Sequence, residues 1–317
     1  MTKERRMTPR TLVIQNNSTR LSIRVWSEHG EPIVLLHGGP GMPDYLMPVA
    51  SLLTHDLQVI TYDQRGSGGS CCASADYHFE RHVEDLAFLA SALDLGRFHL
   101  FGHSWGGLLA QLFAQHQPEK VKSLFLCNAM TGLGIGFIRM LLFLIRHYHH
   151  AAGPAGALRM DIGFLLLAIP GRLRDFGARM LYHQIWRNFF AFSRLKPKIN
   201  HRWLDGIHGH SVRRTFLSLA QGSTRQLNPV RLQSHVPVMV LYGAHDVFGP
   251  ERSAVFERYP WGRRVIMPHC GHIPWVHNPI GFAMLLQEFY APYAVKRPKR
   301  AVRDPGSLLE VVSKSEH

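Results

Sequence analysis

The sequence predicts an α/β fold: a mostly parallel central sheet, helices on both faces and a helical insertion. Three observations carry this. Short apolar runs alternate with helically spaced segments up to about residue 128 and again from about 236. Each Gly-rich segment of the first half stands at the carboxyl end of such a run, where parallel sheets carry their chemistry. From 131 to 228 the alternation stops, and the chain reads as helical and rich in Arg, His and aromatics.

The elements follow in order. Residues 11–26 alternate as an antiparallel edge hairpin would. Ile33-Val34-Leu35-Leu36 is a short strand ending at His37-Gly38-Gly39-Pro40-Gly41. Val59-Ile60-Thr61-Tyr62 is a second, ending at Asp63-Gln64-Arg65-Gly66-Ser67-Gly68. Val83, Leu86, Leu89, Ala90 and Leu93 give a helix over 82–93. Phe98 to Phe101 is a strand ending at Gly102-His103-Ser104-Trp105-Gly106-Gly107, and a helix follows to about His116, before Pro118. Val121–Leu126 is the next strand. The pattern resumes with strands over 236–242 and 264–267 and an amphipathic helix over 279–290. Residues 1–130 and 229–291 therefore form the core, 131–228 a helical cap, and 292–317 a basic tail expected to lack order.

Composition bounds the function. With 317 residues, 46% hydrophobic and 18% charged, the chain buries a real core, which argues against disorder. Its four cysteines, Cys71, Cys72, Cys127 and Cys270, match neither a zinc site nor a disulfide framework, so a reducing compartment is expected. Cys127 reads as a small buried hydrophobe. No apolar segment follows the opening MTKERRMTPR, so no secretory signal is expected and the predicted location is cytoplasmic. The apolar stretches near 132–145 and 162–170 are too short for a transmembrane helix.

The net charge of +14 is uneven. Residues 131–230 hold fourteen Lys or Arg against Asp161, Asp175 and Asp205, a net +11. The first ten residues and the stretch from 292 each add +3, which leaves the body at −3. This basicity comes without a nucleic-acid-binding motif, so no nucleic-acid partner is expected.

Gly102-His103-Ser104-Trp105-Gly106 has the form of a nucleophile elbow, and the preceding strand and following helix are the context that motif requires. A serine hydroxyl needs a base, and the base needs an orienting acid. Asp246 and His272 follow strand ends in the order Ser, Asp, His. Among 21 histidines, His269 is the rival of His272. Gly271 before His272 and Ile273-Pro274 after it make a tight loop that favours His272. His245 is expected as a neighbour of Asp246. An oxyanion hole requires two backbone N–H donors. Trp105 supplies one expected donor and Gly39, in a loop open to close backbone approach, the other. That loop lacks the G-x-x-x-x-G-K-[ST] of a phosphate cradle. No cofactor and no metal is expected.

Together, His37-Gly38-Gly39-Pro40-Gly41, Asp63-Gln64-Arg65-Gly66-Ser67-Gly68 and Gly102-His103-Ser104-Trp105-Gly106-Gly107 resemble the proline iminopeptidase family of α/β-hydrolases. The likeness covers 30–128 well and 236–290 in outline. It implies the α/β-hydrolase fold, a triad of Ser104, Asp246 and His272, an oxyanion hole at Gly39 and Trp105, and structural roles for Asp63 and Arg65. It also implies a helical cap over the site and release of an N-terminal residue from a small or short peptide substrate.

The cap departs from that pattern. Family peptidases hold the free amino terminus with carboxylates, usually glutamates, and residues 131–230 contain no Glu. A cap of this charge attracts anions instead. The alternative expectation is an esterase, thioesterase or lactonase acting on a neutral or acidic small molecule. A third concerns Phe137 to Arg146, which reads as a cap helix packed on the core or as a helix lying on an anionic membrane. The sequence leaves the oligomeric state open.

Overall fold

The computed structural model describes residues 8–193, 201–227, 232–249 and 253–295. Its core is a nine-stranded sheet. The strands are β1 (Arg10–Asn16), β2 (Thr19–Val25), β3 (Glu31–Leu36), β4 (Leu57–Tyr62), β5 (Cys71–Cys72), β6 (Phe98–His103), β7 (Val121–Cys127), β8 (Val238–Gly243) and β9 (Arg263–Met267). Their spatial order is β1-β2-β4-β3-β6-β7-β8-β9, with β5 paired to β2. β1 and β2 form the expected antiparallel edge hairpin, and β2 also pairs antiparallel with β4. From β4 to β9 all pairings are parallel.

Helices cover both faces: α1 (Met47–Leu53), α2 (Phe79–Ala92), α3 (Trp105–His116), α8 (Ser253–Arg258), α9 (Pro274–His277) and α10 (Pro279–Tyr290). The strand sequences show why. In β3, Ile33 and Leu35 join the core shared with α1 and α10, while Val34 and Leu36 join the core under α2 and α3. Alternate side chains point to opposite faces, and both faces are dry, so β3 is apolar at every one of these positions. The short helices α1 and α9 are not evident from the sequence pattern.

Between β7 and β8 run α4 (Ile135–Ala168), α5 (Arg172–Asn188), α6 (His201–Asp205) and α7 (Gly209–Gln221). The two apolar stretches near 132–145 and 162–170 fall largely in the two halves of α4, helical segments that meet at a kink at Gly153 (φ 66°, ψ 176°) before Pro154. Proline fits the first turn of the second half, where its missing N–H is not needed. By length and composition α4 is therefore long and apolar enough to cross a membrane, which neither stretch is alone.

Of the tail expected from 292, the short turn Ala291–Tyr293 packs Tyr293 against His99 at 4.4 Å between ring centres. Residues 296–317 lie outside the described residues. All four cysteines are free thiols, and Cys127 is buried.

The strand order sets the site. From β3 the chain steps to β4 on one side and crosses to β6 on the other. The carboxyl ends of β3 and β6 therefore diverge at a switch point, where open α/β sheets bind ligands. Leu36 pairs with Gly102, which sets the loop after β3 beside Ser104.

Below this point a buried ion pair holds the loop after β4. Arg65 Nε and Nη2 donate to Asp85 of α2 at 2.8 and 2.7 Å, and both residues are almost fully buried. Nearby, Asp63 accepts from the backbone of Asp44 and Gly69 and from Arg24. Removing one partner leaves a buried charge uncompensated. Arg65→Ala is expected to lower stability by about 3–5 kcal/mol, and Arg65→Met with Asp85→Leu to recover most of it. Urea unfolding of the parent and the two variants checks this.

Candidate active site

Ser104 stands between β6 and α3 with φ 56° and ψ −120°, a backbone region that side chains rarely adopt. Close packing imposes it. A Cβ on Gly106 would sit 2.1 Å from the carbonyl oxygen of Leu36, and one on Gly102 would sit 2.4 Å from that of Gly106. Only glycine lets α3 start this close to the sheet. The carbonyl of Ser104 accepts from Met130 N, and its N–H donates to the Cys127 carbonyl, which ties the turn to the end of β7.

Asp246 follows β8 and His272 follows β9. The structure brings them together, with His272 Nδ1–H donating to Asp246 Oδ2 at 2.7 Å. That bond fixes the tautomer and leaves Nε2 as the ring acceptor. Asp246 Oδ1 accepts from Phe248 N at 2.7 Å. The His272 ring lies between Phe189, 4.2 Å away, and Phe248, 5.2 Å away, so its surroundings are dry. His269 is exposed and takes no part in this pairing, and His245 stacks on Phe192 beside the Asp246 turn.

Ser104, His272 and Gly39 line one cavity. The Trp105 N–H opens α3, so no carbonyl four residues back in the helix is available to it. The Gly39 N–H has no acceptor among the described residues, whereas the Gly38 N–H is taken by Tyr45 Oη at 2.9 Å.

Four residues without an assigned role in the sequence reading hold this arrangement. His103 is fully buried, and burial pushes its ring well below the ordinary histidine range, so it is neutral. Its Nε2 lies 2.7 Å from the His272 carbonyl and must carry the proton. Its Nδ1 is then the acceptor for Tyr45 Oη–H at 2.6 Å. A directed chain results, from Gly38 N–H to Tyr45, to His103, to the backbone of His272. Asn128 donates to the carbonyls of Gly271 and His272 at 3.1 and 2.9 Å and accepts from Gly243 N at 2.9 Å. Gln64 links the indole of Trp105 (2.6 Å) to the carbonyl of His37 (2.8 Å). Gln64 and His103 sit inside the Gly-rich motifs, which is a signal for them. Tyr45 and Asn128 stand in no motif.

The rest of the cavity is apolar. α4 contributes Met140, Leu144, Tyr148 and Phe164 among others, and α5 contributes Leu181, Ile185 and Trp186. No Asp or Glu lines it among the described residues. Asp161 pairs with His149 at 2.9 Å, Asp175 accepts from Gly209 N at 2.8 Å, and exposed Asp205 lies 3.6 Å from Arg179. Among the described residues no cluster of three or more His, Cys, Asp or Glu is placed to hold a metal ion.

The chain is similar to known hydrolases. It is 34% identical over 123 residues to a poly(3-hydroxyalkanoate) depolymerase of Ectopseudomonas oleovorans and 39% identical over 108 residues to a proline iminopeptidase of Heyndrickxia coagulans. These matches cover 39% and 33% of this chain and only 44% and 38% of the relatives' own length. A proline iminopeptidase of Lactobacillus delbrueckii subsp. bulgaricus is 26% identical over 280 residues, covering 81% of this chain and 89% of the relative. The solved structure of VinJ superimposes with a TM-score of 0.70 at 23% identity, over 90% of this chain and all of that one, a likeness of fold. A family model described as the alpha/beta hydrolase fold matches residues 31–279, and the chain belongs to that family.

Proposed function

We propose that this α/β-hydrolase is a serine esterase that cleaves carboxylic esters of apolar acyl groups. The observation that carries the reading is the wall of the cavity around Ser104. It is built from Met, Leu, Ile and aromatic side chains, with no carboxylate among the described lining residues. A substrate with a free amino terminus would bring a protonated amine into this wall with no partner, at a cost of several kcal/mol. An apolar acyl group gains instead, at up to about 0.8 kcal/mol per buried methylene.

The chemistry runs through Ser104, His272 and Asp246. Ser104 Oγ attacks the ester carbonyl while His272 Nε2 takes its proton. The carbonyl oxygen becomes an oxyanion, held by the Gly39 and Trp105 N–H groups. The tetrahedral centre collapses, His272 returns the proton to the leaving alkoxide, and the acyl group stays on Ser104 as an ester. Water, deprotonated by the same ring, then releases the carboxylic acid. Asp246 holds the tautomer throughout. Tyr45 and His103 are positioning residues: they hold the Gly38–Gly39 loop and the His272 backbone in fixed register on either side of Ser104.

Three measurements test this. On p-nitrophenyl esters, kcat/KM is expected to rise by up to about fourfold per added methylene from acetate to octanoate. Turnover of a prolyl anilide without ester turnover would sink the reading in favour of amino-terminal peptidase activity. Ser104→Ala is expected to lower kcat on the same esters by at least about 10⁴-fold with the fold intact, as circular dichroism would show. Tyr45→Phe keeps the ring and removes the hydroxyl. We expect kcat to fall about tenfold with KM within about twofold, because orientation is lost and acyl binding is not. A rise in KM with kcat unchanged would assign Tyr45 to substrate binding instead.

A further inference from the structure

The helix that walls the cavity is apolar on its other side too. Met140, Leu144, Met160 and Phe164 of α4 face the cavity. Leu142 is 62% exposed, Leu158 59% and Leu165 65%, and Phe176 on the adjoining α5 is 56% exposed. Leu158, Ile162 and Leu165 recur at i, i+4 and i+7, one stripe of the second half of α4. The most apolar 18-residue window of α4 has a mean hydropathy of 1.3, yet only 22% of it is buried in the protein. Scattered surface leucines need no explanation, but a helical stripe of them marks a contact face.

Charge identifies the contact. Residues 131–193 contain seven arginines and two acids, Asp161 and Asp175. Asp161 is engaged by His149, and Asp175 accepts a backbone N–H. Arg139, Arg146, Arg159 and Arg172 are exposed. Arg139 and Arg146 stand three residues before and four after Leu142, on its face of the helix, and Arg159 adjoins Leu158. Exposed apolar side chains with arginines beside them and few free acids match the boundary between anionic headgroups and acyl chains. α4 itself is held in the protein, since its inner face lines the cavity and it packs along α5.

We propose that the outer face of α4, with the start of α5, docks on an anionic lipid surface. The helix lies in the plane of the headgroups, its leucines reach the acyl boundary, and its arginines pair with phosphates. The proposal rests on the exposed face and stands apart from the ester reading.

Flotation of the full chain carrying Ser104→Ala tests binding without turnover. Vesicles of phosphatidylcholine alone are compared with an equimolar mixture of phosphatidylcholine and phosphatidylglycerol. We expect the anionic vesicles to bind at least about tenfold more protein, and most of that excess to vanish between about 0.1 M and about 1 M salt. Leu158→Ser with Leu165→Ser should lower binding at least about tenfold. Arg139→Ser with Arg159→Ser should lower it by roughly fivefold per arginine on anionic vesicles only. Both double variants should melt within about 2 °C of the parent, which separates lost docking from lost folding. Equal binding to both vesicle types, no binding to either, or binding unaffected by the leucine substitutions overturns the proposal. A parent that elutes as a dimer and a leucine variant that elutes as a monomer, with no vesicle binding by either, assigns the face to a second copy of this chain and overturns it as well.

Discussion

The approach of α3 to the ends of β3 and β7 is the constraint from which the rest of the site follows. Gly106 lies against the backbone of Leu36 and His37, and Gly107 against Ala129. At this distance the chain can turn from β6 into α3 only through a residue at positive φ, and that residue is Ser104. Its side chain is thereby projected at the switch point of the sheet, with the first N–H of a helix beside it. A larger residue at 106 would have to push α3 off the sheet and would carry Ser104 and Trp105 with it. The strain at one residue is sustained by the packing of a whole helix.

The loops around Ser104 come from distant parts of the chain, and buried polar side chains set their relative positions. His103 and Asn128 both donate to the carbonyl of His272, one from the end of β6 and one from the end of β7. Asn128 also receives the N–H of Gly243, where the chain leaves β8 toward Asp246. A carbonyl receiving two buried hydrogen bonds has little freedom to move, and the imidazole attached to the same residue inherits that order. Low local dielectric makes each such bond costly to break. The aromatic neighbours Phe189 and Phe248 keep water from competing for the Asp246–His272 pair.

These dependencies explain what is legible in the sequence. The strands are legible because a sheet buried on both faces demands largely apolar runs: Ile33–Leu36 is one, and Phe98–Phe101 is another with only the buried His99 among its apolar residues. The pairing of Asp246 with His272 is legible because both residues follow strand ends, and parallel strands bring those ends to one edge. Tyr45 and Asn128 are not legible. Their partners lie far along the chain, His103 for Tyr45 and Gly271 and His272 for Asn128, and neither residue sits in a repeated or Gly-rich pattern. The length of α4 is hidden for a different reason. Gly153 and Pro154 look like an end of helix, and Gly153 does leave the helical backbone, but a second helical segment starts directly after it.

The helices between β7 and β8 do more than wall the cavity, because they also hold the loop that carries Gly39. Tyr182 of α5 donates to the Pro40 carbonyl at 3.0 Å, and His208 N donates to the Gly41 carbonyl at 3.1 Å. Val212 of α7 leaves no room for a side chain at Gly41. The segment that walls the cavity therefore also braces the loop that carries Gly39. Changes in the cap that enlarge or reshape the cavity should then be felt in kcat as well as in KM, because Tyr182 lines the cavity and grips the loop at once. The motifs that resemble the peptidases stand in the core, whereas the cavity wall between β7 and β8 carries no acid among its described residues. In a fold built this way, chemistry is inherited with the sheet, and substrate class follows the helices laid over it.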